Sequence, residues 1–335
     1  MPTQNISLSL SLLLSLCAAC DLEPELLDGE ISPRSFNQDD VESKIAACGV
    51  LTCGGAGNTS ELISNERFYE FSLAAEPHVT TENHTIEFLG GYHPDFGLIN
   101  AADIGVSDQG TLELAGALPE EAAGFQLRFD VDGEIRTVVV DDLIDSPFGY
   151  VYDLREATRD GSKPLCPVDP MGKSYAFLYP EIALYTQAVG DLPAGKLSHG
   201  ESLIHVGCSA SAMGKASIFG FRPTPSEPTT LGSFEGALRA VRLELCEVGV
   251  SQTAPGAMVI LNDRAGVMHE PYDFVDLLEQ EAAFDRNGAV CWNGVVREGA
   301  TMPTCEEALA LPHCDDYVAA NPSAELVETY LVPGA

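Results

Sequence analysis

The chain of 335 residues carries 51 Asp and Glu against 17 Lys and Arg, a formal charge of −34, so nucleic acid and anionic lipid headgroups are repelled and cations or basic partners are favoured. Its length allows a sizeable core and, at roughly 150 residues per domain, two domains. An acidic surface of this kind also serves solubility, so charge alone assigns no partner.

Ile6 to Leu16 form an apolar run diluted by serines, too short to span a bilayer but suited to the h-region of a signal peptide over 1–19. Ala18 and Ala19 before Cys20 resemble a bacterial lipobox, in which the cysteine thiol is acylated and becomes the new N-terminus. Cys17 stands where such boxes usually have Leu, and no Lys or Arg precedes the run, so plain signal-peptidase cleavage is the alternative. Either route exports the chain. Residues 20–45 are acidic, contain Pro24, Gly29 and Pro33, and read as a flexible tether with a reach of about 25 Å.

Setting Cys17 and Cys20 aside leaves Cys48, Cys53, Cys166, Cys208, Cys246, Cys291, Cys305 and Cys314, an even set that reads as disulfides in an exported chain. Sequence cannot choose the pairing, although a local bridge around Gly49 to Thr52 is the simplest for Cys48 and Cys53. Zinc is disfavoured, since these eight include no C-x-x-C pair and no His stands at finger spacing from them.

In chain order, a small antiparallel β domain is expected over 46–145, with strands in Phe68 to Leu73, Thr85 to Leu89 and Thr111 to Leu114. Its clearest element is Phe125 to Val140, where Asp132-Gly133 separates FQLRFDV from EIRTVVV as a hairpin turn. A second, cysteine-rich domain follows over 146–320, with a tail over 321–335. Strands are expected at Tyr150 to Leu154, Ser174 to Leu184 and Glu201 to Cys208, then a small-residue stretch, then a loop at Thr224 to Thr230 on account of Pro225 and Pro228. Phe234, Leu238, Val241 and Leu245 mark one stripe of a central helix running into Cys246, with Cys208 and Cys291 in the segments to either side where a crosslink would find partners. Beyond it come a short strand at Met258 to Leu261, a helix over Asp273 to Phe284 with Phe274, Leu277 and Leu278 inward, a strand at Gly288 to Trp292, and helices at Cys305 to Leu311 and Ala324 to Leu331. The fold class is α+β and β-rich, a disulfide-stapled C-terminal domain preceded by a small antiparallel β domain.

The stretch from Phe148 to about Cys314 resembles the ADYC domain, a family of exported, cysteine-rich bacterial proteins named for an Ala-Asp-Tyr-Cys tetrad. Leu243, Glu244, Leu245 and Cys246 stand at the tetrad, so only the cysteine is identical. Arg239 and Arg242 before it and Gly249 after it match, as do Gly256, Asp263 and Gly266, the run Gly288-Ala289-Val290-Cys291, Pro164-Leu165-Cys166, and Lys215, Gly220, Phe221 and Pro223. The resemblance implies cysteines at the positions of Ala216 and Ala237. Losing both together is what a mutual bridge predicts, so the two alanines are expected to be neighbours. The family carries no established activity, so the resemblance implies no site residues.

The search for chemistry assigns none. His78, His84, His93 and Asp95 cluster in sequence, yet lack metalloprotease spacing. Asp130, Asp132 and Glu134 lack the remaining ligands of a calcium loop. Ser209 and Ser211 stand in no nucleophile elbow, and Lys215 lies four residues after Ser211 rather than three. The even cysteine count disfavours a thiolate nucleophile, and the glycines at 54, 55 and 57 open no phosphate-binding helix. The expectation is a non-enzymatic binding or structural protein without cofactor or metal, held at the outer membrane or cell surface through lipid on Cys20, or secreted if Cys20 is not lipidated. Its partners are envelope or extracellular proteins or glycans, not nucleic acid. An extracellular hydrolase whose residues converge only in the folded chain is the alternative.

Overall fold

The computed structural model describes residues 70–331 apart from stretches at 75–76, 80–83, 115, 147–148, 168–174, 185–195, 225–227, 254–256, 258, 265–277 and 323. The expected signal segment at 1–19, Cys20, the tether expected at 20–45, and Cys48 and Cys53 lie outside the described residues.

A large antiparallel sheet takes up the first half of the fold. Its strands are β1 (Glu70–Ser72), β2 (His78–Val79), β3 (Thr85–His93), β4 (Gly97–Ile99), β7 (Gln126–Val131), β8 (Glu134–Ser146), β9 (Gly149–Thr158), β10 (Gly161–Pro164), β11 (Tyr175–Leu184) and β12 (Leu197–Cys208). A separate ribbon pairs β5 (Ile104–Val106) with β6 (Leu112–Leu114). The order of the main path is β1-β12-β11-β9-β8-β7-β3-β2, with β4 beside β3 and β10 beside β9. The Asp132-Gly133 turn joins β7 to β8 as the sequence requires, with both residues at positive φ (54° and 86°), the conformation that Asp-Gly supplies in a two-residue hairpin.

This topology corrects the expected boundary at 145. β8 and β9 pair from Val138↔Glu156 to Ser146↔Gly149, so the hairpin crosses the boundary, and β1 joins β12 through Glu70↔His205. One sheet therefore spans both expected domains. Its inner face carries a core of Phe71, Phe88, Leu127, Phe129, Leu178 and Val206 with their neighbours. Phe71 of β1 lies 5.0 Å from Phe129 of β7 and 5.9 Å from Phe88 of β3, so the sheet curls until its two ends share side-chain contacts. The space left between these side chains is apolar and about the size of one water molecule.

The outer face of β11 and β12 carries the helices α1 (Ala212–Ile218) and α2 (Pro228–Arg242). Along β11, Ala176 and Leu178 point into the inner core while Tyr175, Phe177 and Tyr179 join the helix side, so this strand is buried on both faces. α1 arises from the stretch expected only as small residues. A Cβ on Gly214 would sit 2.1 Å from the carbonyl oxygen of Cys208, so glycine there lets α1 rest directly on the end of β12. α2 starts at Pro228, inside the expected loop, because proline is tolerated at the first helical position where its missing N–H has no helical acceptor. It ends at Arg242 instead of running into Cys246.

On its other side α2 packs against a second antiparallel sheet, β13 (Ile260–Asp263), β14 (Gln280–Asp285), β15 (Gly288–Trp292) and β16 (Val327–Tyr330), in the order β13-β16-β14-β15. Two expected helices are thereby corrected. Gln280–Asp285, the end of the helix expected at 273–284, is β14, and Phe274 and Leu277 lie outside the described residues. Val327–Tyr330, inside the helix expected at 324–331 and the tail expected at 321–335, is the inner strand β16. Short helices α3 (Glu306–Leu309) and α4 (Cys314–Ala320) finish the fold.

Three disulfides staple the C-terminal half. Cys166 joins Cys208, tying the segment after β10 to the end of β12. Cys246 joins Cys305, tying the segment after α2 to the start of α3, and Cys291 of β15 joins Cys314 of α4. Cys208 and Cys291 are therefore not the partners of Cys246.

Candidate functional site

The densest polar constellation surrounds the C-terminal end of α2. A helix end leaves its last four carbonyls without helical donors, and here those of residues 239–242 are all satisfied. The Arg239 carbonyl accepts from the Glu244 amide (3.1 Å) and the Ala240 carbonyl from the Leu243 amide (3.2 Å). The guanidinium of Arg297 reaches in from beyond β15 and donates to the Ala240 and Val241 carbonyls at 3.0 and 3.1 Å. The Arg242 carbonyl accepts from the Ser251 hydroxyl (2.9 Å) and from the amides of Gln252 and Thr253. Leu243 turns the chain with φ 54° while its side chain stays in the core.

Charges are paired inside this cap, three guanidiniums against two carboxylates. Arg297 forms a fork on the Glu281 carboxylate of β14, with Nη2 at 2.5 Å and Nε at 3.0 Å from Oε2, and the Arg297 amide donates to Oε1 at 2.7 Å. Glu244 lies between Arg239 (3.2 Å) and Arg242, and also accepts the Gly249 amide at 2.8 Å. Arg242 donates to the Gly249 carbonyl at 2.8 Å, and burial lowers its pKa despite the neighbouring Glu244. All five charged side chains are buried. One turn earlier the buried Glu235 accepts the Leu197 amide at 2.9 Å and pairs with Lys196 (3.1 Å) and Arg286 (2.9 Å). The polar side of α2 therefore faces the second sheet and the start of β12, not water.

The sequence model of the ADYC domain matches residues 119–298, just over half of the chain. The chain belongs to the ADYC-domain family. No curated protein and no solved structure matches it. The ADYC match begins at Pro119 and so includes β7 and β8, ahead of the expected start at Phe148, and it ends at Glu298, short of Cys305 and Cys314. Glu244 lies in the segment 243–246 that resembles the tetrad, and Arg239, Arg242 and Gly249 are the groups that hold its carboxylate. Glu281 and Arg297 complete the cap, and sequence reading missed both: Glu281 sits in a segment read as helix, and Arg297 in no recognised element. The signal available was an Arg five residues after Gly-Ala-Val-Cys-Trp and a Glu directly before Ala-Ala-Phe.

A second polar group lies where the ends of the large sheet meet. Glu70 of β1 and His78 of β2, the two terminal strands of the path, approach to 2.5 Å (Oε1 to Nε2), and His205 of β12 stands 3.9 Å from Glu70 Oε2. Burial alone would raise the Glu70 carboxyl, but the neighbouring His205 and the hydrogen-bonded His78 outweigh it and hold the group at about 2. Beyond His205 the Tyr179 ring follows at 6.5 Å, its hydroxyl 2.6 Å from Ser217 Oγ of α1, and burial raises that phenol. Glu70 and His205 are almost wholly enclosed, so the row clasps the sheet ends and joins them to α1.

The histidine cluster of the sequence does not assemble. His78 binds Glu70, His84 Nδ1 lies 2.8 Å from Asp132, and His93 contacts the Ala123 carbonyl at 3.2 Å and the Asp95 amide at 3.1 Å. Among the described residues no group of three or more His, Cys, Asp or Glu could hold a metal ion. Asp130 accepts the Gly133 amide at 2.7 Å and Asp132 the Thr85 amide at 2.9 Å, both serving the hairpin, while Glu134 pairs with Arg136. Ser211 caps α1: its hydroxyl donates to the Cys208 carbonyl at 2.7 Å and accepts from the Gly214 amide at 3.3 Å. Lys215, on the same helix, is buried, and desolvation lowers its ammonium to about 8.

Proposed function

We propose that this ADYC-family chain is a non-enzymatic binding or structural protein of the bacterial envelope, exported and held at a membrane by lipid on Cys20. The observation that carries the reading is the cap on α2. Arg239, Arg242, Cys246 and Gly249, which carry the family resemblance in the sequence, fasten a helix end to a sheet and a disulfide to a turn, which supports a rigid body whose cap presents no reactive group to solvent. The three disulfides fit an oxidising compartment, in keeping with the apolar run ahead of Cys20.

The test is the intact mass of the protein isolated from its native envelope, with free thiols alkylated and no reductant present. Acyl mass that disappears in Cys20→Ala, with no label on Cys166, Cys208, Cys246, Cys291, Cys305 or Cys314, is the expected result. A mature chain without acyl mass, or label on any of the six, would overturn the anchored-scaffold reading.

A further inference from the structure

Among the described residues, β1, β2, β4 and β10 of the large sheet each pair with one strand only, and the β4 side is the apolar one of these edges. β3 pairs with β7 along one side, whereas its other side is covered by β2 at Thr85 and Ile86 and by β4 at Gly91 to His93. β4 in turn pairs with β3 alone, so its outer backbone faces no further strand among the described residues. An edge of this kind is a template for another extended segment.

Its side chains are unlike those of a protected edge. Leu98 of β4 is 78 % exposed, and its directly opposed neighbour Tyr92 on β3 and the turn residue Phe96 are 38 % and 41 % exposed. Leu89 of β3 and Val79 of β2 continue the apolar character along the same edge. No lysine stands on these strands to discourage pairing. Tyr92 and Leu98, opposite one another in the ladder, share a face and make a single apolar step beside the open backbone.

Charge selects the occupant. From Phe68 to Leu127 the chain has no Lys or Arg but ten Asp and Glu, among them Asp95 in the β3–β4 turn and Asp103 just beyond β4, both exposed. A second copy would bring the same acidic stretch and the same −34 charge to the contact, and nucleic acid or an anionic bilayer would be repelled likewise. We propose that the β4 edge receives an extended, lysine- or arginine-bearing segment of a partner protein, which adds as a strand and sets an apolar side chain against Tyr92, Phe96 and Leu98. Backbone pairing supplies affinity and the alternating apolar and basic side chains supply selection. The proposal rests on the binding-protein reading above and names the partner's chemistry.

The test uses the full mature chain and a fluorescent peptide alternating lysine with valine, followed by anisotropy. The peptide should bind, bind more weakly as salt is raised, and lose affinity by about tenfold or more in Leu98→Asp and in Phe96→Asp. The sign is diagnostic: each substitution adds a carboxylate, so diffuse attraction between opposite charges would strengthen binding where strand docking weakens it. Unchanged or tighter binding by both variants, absence of binding by the unmodified chain, or equal binding of a glutamate–valine peptide would each overturn the proposal. A solution dimer that Leu98→Asp dissociates would also overturn it, in favour of a second copy at the edge. None of these outcomes alters the acylation and thiol results, so failure of the edge and failure of the anchored-scaffold reading are separable.

Discussion

Glu70 shows how one carboxylate joins two ends of a sheet. Its folded pKa of about 2 lies below the ordinary 4.5, so its contribution to stability is complete above about pH 4.5 and is lost as pH falls through about 2. The shift corresponds to on the order of 3 kcal/mol at neutral pH. Glu70→Gln should therefore be less stable than the parent near neutral pH, and the two stability curves should converge as pH falls toward 2. Urea midpoints across this range measure it, and parallel curves would show that Glu70 is not held by the histidines. The second residue-scale prediction concerns Glu281. Replacing it with Gln leaves the Arg297 guanidinium buried beside a neutral amide, which should cost about 3–5 kcal/mol, against less than about 0.5 kcal/mol for the exposed Glu307→Gln.

At the scale of elements, what could be read from the residues depended on whether a face meets water. The β7–β8 hairpin was legible because Leu127, Phe129 and Val131 alternate with less buried residues and Asp-Gly turns the chain. β14 was not, because it is covered on both sides: Ala282 and Phe284 face the α2 core and Ala283 packs with Cys291 and Cys314, so no polar alternation marks it and its Glu and Ala favour a helix in isolation. β16 hid for the same reason, with the buried Glu328 paired to Arg264 at 3.2 Å. Of the candidate site, Arg239, Arg242 and Gly249 were visible through the family resemblance, while Glu281 and Arg297 were not, since their pairing depends on the strand that was misread. α1 and α2 pack together with Ala216 and Ala237 wholly buried in one core. If these alanines are the neighbours that the family's missing cysteines imply, Ala216→Cys with Ala237→Cys should form a fourth bridge in this half of the chain under air oxidation. Mass spectrometry of the unreduced double variant would show the loss of two hydrogens, and two alkylatable thiols in its folded state would refute the pairing.

At the scale of the molecule, the large sheet decides what can fold alone. A cut at 145/146 would separate β8 from β9 along seven paired positions and take β1 from β12, leaving two new edges and removing Phe71 and Phe129 from a shared core. An open edge with half its core exposed is left in the C-terminal piece, where α1 and α2 cover the outer face of the large sheet and not its inner face. The fragment 146–335 is therefore expected to lack a cooperative unfolding transition, whereas the full chain should unfold with one. Trp292, whose indole N–H donates to the Val295 carbonyl at 2.7 Å, reports on the four-stranded sheet, and the buried Tyr152 and Tyr175 report on the large one. Coincident fluorescence and near-ultraviolet dichroism transitions in urea would show that both sheets unfold together through α2. A fragment that retains a sharp Trp292 transition of its own would instead place the folding unit in the C-terminal half and make the large sheet a later addition to it.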